Sequence, residues 1–257
     1  MIDRVSQRLH TRSLVLLATL ERGFEKILLY WLTIVALACA LRLSTGVMPI
    51  REALSANFGI YALLVIAPIG SAVLALRWFP KDAPTCSPAV RLARIGRWRD
   101  VSLDEARKHP LYGTSGIMVS LMAGMLLNVV FRTGEYLLSI PPVTLDAPGW
   151  VKALQTALAL DAVIFSSLYV IAFVMAIRKV ALFPRMLVCI WMADLTAQLF
   201  IAQMMGERPD LPHRAASAIE TLLDGAVHKV LFSAVIWLPY LLLSKRVNVT
   251  FRHRIPT

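Results

Sequence analysis

Eight polar side chains lie within or at the edges of otherwise apolar stretches, and they are the residues here whose types and spacing could do chemistry. Asp194 has Gln198 one turn further along and Trp191 one turn before it. Asp161 stands in another apolar run, and Asn128 and Arg132 share a helical face through their four-residue spacing, with Glu135 three residues beyond. Asp224 and His228 repeat the four-residue relation. An ionisable group in hydrocarbon costs about 2.5 to 3.5 kcal/mol on insertion scales, so each needs a partner or a water-filled cavity. Two uses follow. In the structural one, Arg132 neutralises Glu135 or a span aspartate, while Asn128 and Gln198 bond across helices at about 0.6 to 2 kcal/mol each. In the other, Asp194 and Asp161 change protonation or pair with a cation, forming a site for a small polar solute, a lipid headgroup or a proton. Asp161, Glu135 and Asp224 are also close enough to span ends to sit in the interface, and His228 reads as an interfacial histidine.

No catalytic set accompanies these groups. A nucleophile elbow, a phosphate-binding glycine loop and an HExxH helix are all missing from the sequence. His10, His109, His213 and His253 have no metal-ligand spacing, and Cys39, Cys86 and Cys189 form neither a zinc nor a disulfide pattern. No catalytic residue, metal or cofactor is expected.

The elements that must position these groups are membrane spans. Hydrophobic residues make up 58% of the chain and its mean hydropathy is +0.66, well above a soluble domain of roughly 45 to 50% apolar content. Runs of about 20 apolar residues suit a bilayer, and six occur, near 27–41, 58–76, 113–138, 150–177, 186–204 and 222–243. The expected fold is therefore all-α, a polytopic helical membrane protein with six transmembrane helices. Arg4, Arg8, Arg12 and Arg22 alternate with Ile2, Val5, Leu9 and Leu16, which predicts an amphipathic interfacial helix over 1–26 that is not a cleaved signal. The remaining divisions are a two-helix hairpin (27–77), a basic loop (78–112), a four-helix membrane module (113–251) and a basic tail (252–257). Within the loop, Ser102 and Glu105 have capping-box spacing, and the helix they start must stop near Pro110.

Charge sets the expected orientation. Of 27 Lys and Arg residues, all but Arg42, Arg51, Arg132, Lys152, Arg208, Arg214 and Lys229 fall on the side holding both termini. By the positive-inside rule that side is the cytoplasm. The net charge of +11 is thereby assigned to topology, with no nucleic-acid partner. The segment 90–99, in which arginines alternate with Leu92, Ile95 and Trp98, can dock on anionic lipid headgroups at about 1 kcal/mol per basic residue.

Near the C-terminus, Trp237, Pro239, Tyr240, Ser244, Arg246, Val247, Thr250 and Phe251 stand where an apolar run with an internal proline meets a basic pair. This pattern, with Tyr112-Gly113 and Arg178-Lys179 upstream, resembles the YdgK-like family of uncharacterised bacterial inner-membrane proteins over residues 110 to 253. The resemblance implies a four-span inner-membrane module, here preceded by two further spans, and brings no activity or site residue with it. The expected role is a non-enzymatic membrane or envelope accessory protein whose partners are the bilayer, anionic headgroups, and a membrane-protein partner or a second copy. The alternative is a small-solute or proton-coupled transporter using a polar cluster in the outer half of the bundle. A membrane-embedded enzyme acting on lipid requires Asp161, Asp194 and His228 to converge.

Overall fold

The computed structural model describes residues 2–45, 49–80 and 96–257. In chain order its elements are α1 (Ile2–Ser44), α2 (Ile50–Trp78), β1 (Trp98–Asp100), α3 (Leu103–Lys108), α4 (Ile117–Ser139), α5 (Gly149–Ile177), α6 (Phe183–Gly206), α7 (His213–Leu243), α8 (Lys245–Arg252) and β2 (Arg254–Pro256). Helices α1, α2 and α4 to α7 are long and apolar enough to cross a membrane, so the chain is an all-α multi-pass architecture. Cys86, Lys81 and the part of the basic loop holding Arg91 and Arg94 lie outside the described residues, as do the side chains of Arg4, Arg8 and Arg12.

Helix α5 is the most buried span, flanked by α2, α4 and α6. Its Phe173 is fully enclosed, packing near Met122, Phe183 and Leu187 in the core of one end. Because α2 lies along α5, residues 27–77 share the core of the later spans. Helix α7 is the opposite case: its principal neighbour is α6, and most of its surface is open.

Residues 1–26 depart from the expected separate interfacial helix. Helix α1 runs unbroken for 43 residues, roughly 64 Å at 1.5 Å per residue, and only Arg22–Ser44 qualifies as a span. The lone Gly23 costs about 1 kcal/mol, which is not enough to end a helix with no proline beside it. The extension reaches the start of α4, where the Gly116 N–H donates to Ser13 Oγ at 2.9 Å.

The end that carries α3, β1, β2 and α8, the basic end, is closed by residues 244–257. Ser244 leaves the helical conformation (φ −64°, ψ 125°) and its Oγ caps α8 weakly, at 3.5 Å from the Val247 N–H. Helix α8 then folds back over the ends of the spans. Thr250 Oγ1 accepts from the Gly113 N–H at 3.0 Å and donates to the Gly113 carbonyl at 3.2 Å. That approach needs a residue with φ of 113°, which favours glycine. Arg246 Nη1 donates to Ser115 Oγ at 2.8 Å, and the Phe251 ring lies 5.1 Å from that of Phe183. Trp237 and Tyr240 meet edge to face at 6.0 Å beside Pro239, one turn before α7 ends. Most of the C-terminal pattern is thus a set of packing contacts at one end of the bundle. In the loop before α4, Ser102 Oγ accepts from the Glu105 N–H at 3.2 Å, and α3 stops before Pro110. The Glu105 carboxylate pairs with Arg99 instead of reaching back to complete the capping box.

Residues 252–257, expected as a basic tail, are folded. Strand β2 pairs antiparallel with β1, Arg254 joins Asp100 at 3.0 Å, and Arg252, His253 and Arg254 are buried. Arg252 Nη2 donates to the Leu241 carbonyl at 2.9 Å, while Nη1 reaches Asn248 Oδ1 at 2.9 Å and the Leu242 carbonyl at 3.4 Å. It therefore satisfies carbonyls that the end of α7 leaves without intrahelical partners. Burial, with Arg254 and Arg185 nearby, pushes its guanidinium down to about 10, still charged at neutral pH. Arg252→Met is expected to lower stability by about 2 to 4 kcal/mol, the scale of losing several charge-assisted bonds. Thermal unfolding in detergent measures this, and an unchanged midpoint would mean that the fold-back adds nothing to the bundle.

Candidate functional site

Three spans bring an arginine and two aspartates together near their middles. Arg132 on α4 donates through Nη1 to Asp161 Oδ2 of α5 and through Nη2 to Asp194 Oδ2 of α6, both at 2.6 Å. One planar guanidinium has the fork geometry to hold two carboxylates at once, which a lysine ammonium lacks. Gln198 Nε2 donates to Asp161 Oδ1 at 2.8 Å, and Tyr169 Oη donates to Asp194 Oδ2 at 3.3 Å. The Arg132 guanidinium also lies over the Phe165 ring, 5.0 Å from its centre. Asp194 is 0% exposed and its Oδ1 has no hydrogen-bond partner in the protein.

This group forms one wall of a cavity of about 720 Å³ between α4, α5, α6 and α7. Arg132, Asp161, Gln198 and Asn128 line it, whereas Asp194 stands behind Arg132. Asn128 Oδ1 is buried and has no partner. Along α4 the lining runs from Gly124 to Ile140, roughly 24 Å of helix, from mid-bundle to the end remote from α8. Towards the basic end, the apolar packing of Met118, Met122, Phe173 and Phe183 fills the bundle. A second recess of about 520 Å³, between α5 and α6, is almost wholly apolar and touches the same Asp161.

The remaining expected members separate from this core. Glu135 pairs with Lys229 of α7 in an exposed contact that joins α4 to α7 across the cavity. Asp224 and His228 are exposed and line neither cavity; His228 Nδ1 lies 2.7 Å from the Asp224 carbonyl, a contact within α7. Asp224 and Lys229 are five residues apart, about 140° around a helix, so the face of α7 that closes the cavity carries Gly225 and Lys229 and turns Asp224 away. The convergence of His228 with Asp161 and Asp194 that a lipid-cleaving site requires does not occur. Among the described residues, no group of three or more His, Cys, Asp and Glu is placed to hold a metal ion.

Sequence reasoning missed a second polar node. Asn57, in the second turn of α2 and 0% exposed, donates through Nδ2 to the carbonyls of Ala53 at 2.9 Å and Val143 at 3.1 Å. Its Oδ1 accepts from the Val143 N–H at 3.1 Å and from Gln155 Nε2 at 2.6 Å. The node ties α2 and α5 to the loop after Pro141 and Pro142, next to Ile140 on the cavity rim. The only signal in the sequence is an asparagine directly before an apolar run. No family model matches the chain, and neither a curated protein nor a solved structure matches it.

Proposed function

We propose that this chain is a non-enzymatic multi-pass protein of the bacterial inner membrane that binds a small solute in the cavity between α4 and α7, in a transport cycle coupled to a proton. The YdgK-like resemblance over residues 110 to 253 belongs to the same reading, and the distribution of Lys and Arg supports cytoplasmic termini with the cavity facing the periplasm. Anionic headgroups are the expected neighbours of the basic end, where Arg77 and Trp78 are exposed.

One observation carries the choice of transport over a purely accessory role. Two carboxylates share one guanidinium in mid-bundle, leaving one negative charge unbalanced, and the Arg132 and Asp161 side chains open onto a cavity of about 720 Å³. A structural ion pair is most stable when its charges cancel, because an unpaired buried charge is strongly destabilising. A proton on the carboxylate pair restores neutrality, and releasing it couples the pair to whatever enters the cavity.

Thiol labelling in intact cells tests this. With Cys39, Cys86 and Cys189 replaced by alanine, Ser233→Cys on the cavity wall is expected to react with a membrane-impermeant maleimide added outside. A cysteine appended after Thr257 should react only once the membrane is permeabilised. The reverse pattern would invert the orientation, and a Ser233→Cys thiol that stays inert from both sides would mean a dry cavity and no solute site.

A further inference from the structure

We infer that the solute is a protonated amine with an apolar body, its ammonium held at the Arg132–Asp161–Asp194 group and its body against the walls of the same cavity; this rests on the solute-binding reading above. The chemistry that faces the cavity is one-sided. Four charged side chains line it, and both cations are already engaged: Arg132 holds Asp161 and Asp194, and Lys229 holds Glu135. Counting Asp194 behind the wall, the group has one carboxylate more than it has cations. Among the described residues, the buried side-chain oxygens on or just behind this cavity wall that lack a partner are Asn128 Oδ1 and Asp194 Oδ1, which can only accept, and Tyr136 Oη, which can accept or donate. Once its proton leaves, the site is short of one positive charge and keeps free acceptors, and an ammonium supplies both the charge and the N–H groups they take.

An anion would find, among the described residues, only cations that already hold carboxylates. A bare alkali ion would need several oxygen ligands, but both carboxylates are drawn onto a guanidinium that it cannot displace without unpairing them. The walls point to the rest of the ligand. Phe131 and Phe232 are among the lining residues, 62% and 69% exposed, and aromatic side chains attract organic cations. Leu127, Leu158 and Leu222 add apolar surface, and the volume lies in the range of sites for drug-sized ligands.

The exchange balances without any further reactant. The empty site is neutral with one proton on the carboxylate pair; an ammonium that enters brings one positive charge, and the proton leaves to water. Among the described residues, the charged and titratable groups that line this cavity or bond the pair are Arg132, Glu135 and Tyr136 from α4, Tyr169 from α5 and Lys229 from α7.

The test uses the full-length protein in phosphatidylcholine nanodiscs, titrated calorimetrically with naphthylmethylamine and with its shape analogues naphthylmethanol and naphthylacetate. The amine alone is expected to bind, releasing a proton whose uptake by buffers of different ionisation enthalpy is measurable. Asp161→Asn should weaken it by about thirtyfold or more, the scale of losing one partner of a buried charge pair. Gly225→Leu fills open cavity space without touching the carboxylates and should abolish binding, which guards against misfolding of the aspartate variant. Competition by phosphatidylethanolamine in the nanodisc would assign the ammonium to a lipid headgroup; lack of competition would assign it to a soluble amine. If naphthylmethanol or naphthylacetate binds as tightly as the amine, the cation assignment is wrong although the cavity is a solute site. If none of the three binds while the Ser233→Cys thiol is reactive, the amine inference is overturned and the cavity reading stands.

Discussion

Replacing Arg132 by methionine is expected to cost about 3 to 5 kcal/mol of stability, enough to leave little folded protein in the membrane. The variant removes the guanidinium that holds both Asp161 and Asp194 and leaves two carboxylates facing one another in the middle of the bundle. Asp194 cannot turn to water because it is fully enclosed, and Asp161, its side chain 10% exposed, meets water only through the cavity. The informative comparison is the triple variant Arg132→Met with Asp161→Asn and Asp194→Asn, which has no buried charge. Neutral replacements of a whole buried ionic group are often tolerated or stabilising, so it should recover most of the lost monodisperse protein in detergent gel filtration while losing ligand binding. If Arg132→Met alone is as stable as the parent, the two aspartates are not held by this guanidinium. If the triple variant keeps amine binding, the group is structural only.

The second large effect is expected at Asn57. Asn57→Leu removes four hydrogen bonds and strands the Val143 N–H and carbonyl in an apolar setting, at a cost of about 2 to 4 kcal/mol. Gln155→Leu removes one of those bonds and should cost about 1 kcal/mol. Thermal unfolding of both variants gives the ratio, and equal midpoints would show that the Val143 contacts carry no weight. Asn57→Leu should also loosen the turn beside Ile140, so the cavity rim loses definition as stability falls.

How much of this was legible in the sequence depended on distance along the chain and on rotation about helix axes. The six spans were readable because apolar runs of bilayer length leave few alternatives, and Asp194, Asp161 and Arg132 stood out because charge within such runs is expensive. That Arg132 takes both aspartates, leaving Glu135 to Lys229, depends on how α4, α5 and α7 are turned toward one another, which periodicity within one helix does not specify. Asp224 and His228 were grouped with the others by depth alone, and the rotation of α7 separates them. Asn57 escaped notice because its main partner, Val143, is 86 residues away. The folded C-terminus escaped for a similar reason: Arg252, His253 and Arg254 read as charge for water until β2 is seen beside β1.

The pairing of β1 with β2 also has a temporal side. Asp100 and Arg254, the two ends of one ion pair, lie on opposite sides of four spans. At a synthesis rate of about 5 to 20 residues per second, the strand that contains Asp100 leaves the ribosome roughly 8 to 30 s before its partner exists. Throughout that interval α4, α5, α6 and α7 enter the membrane while the basic end is still open, and Gly113 waits for Thr250. These four spans therefore assemble first without a latch and are locked by residues made after them, so a chain stalled or clipped just after α7 carries the Arg132 group yet lacks its latch.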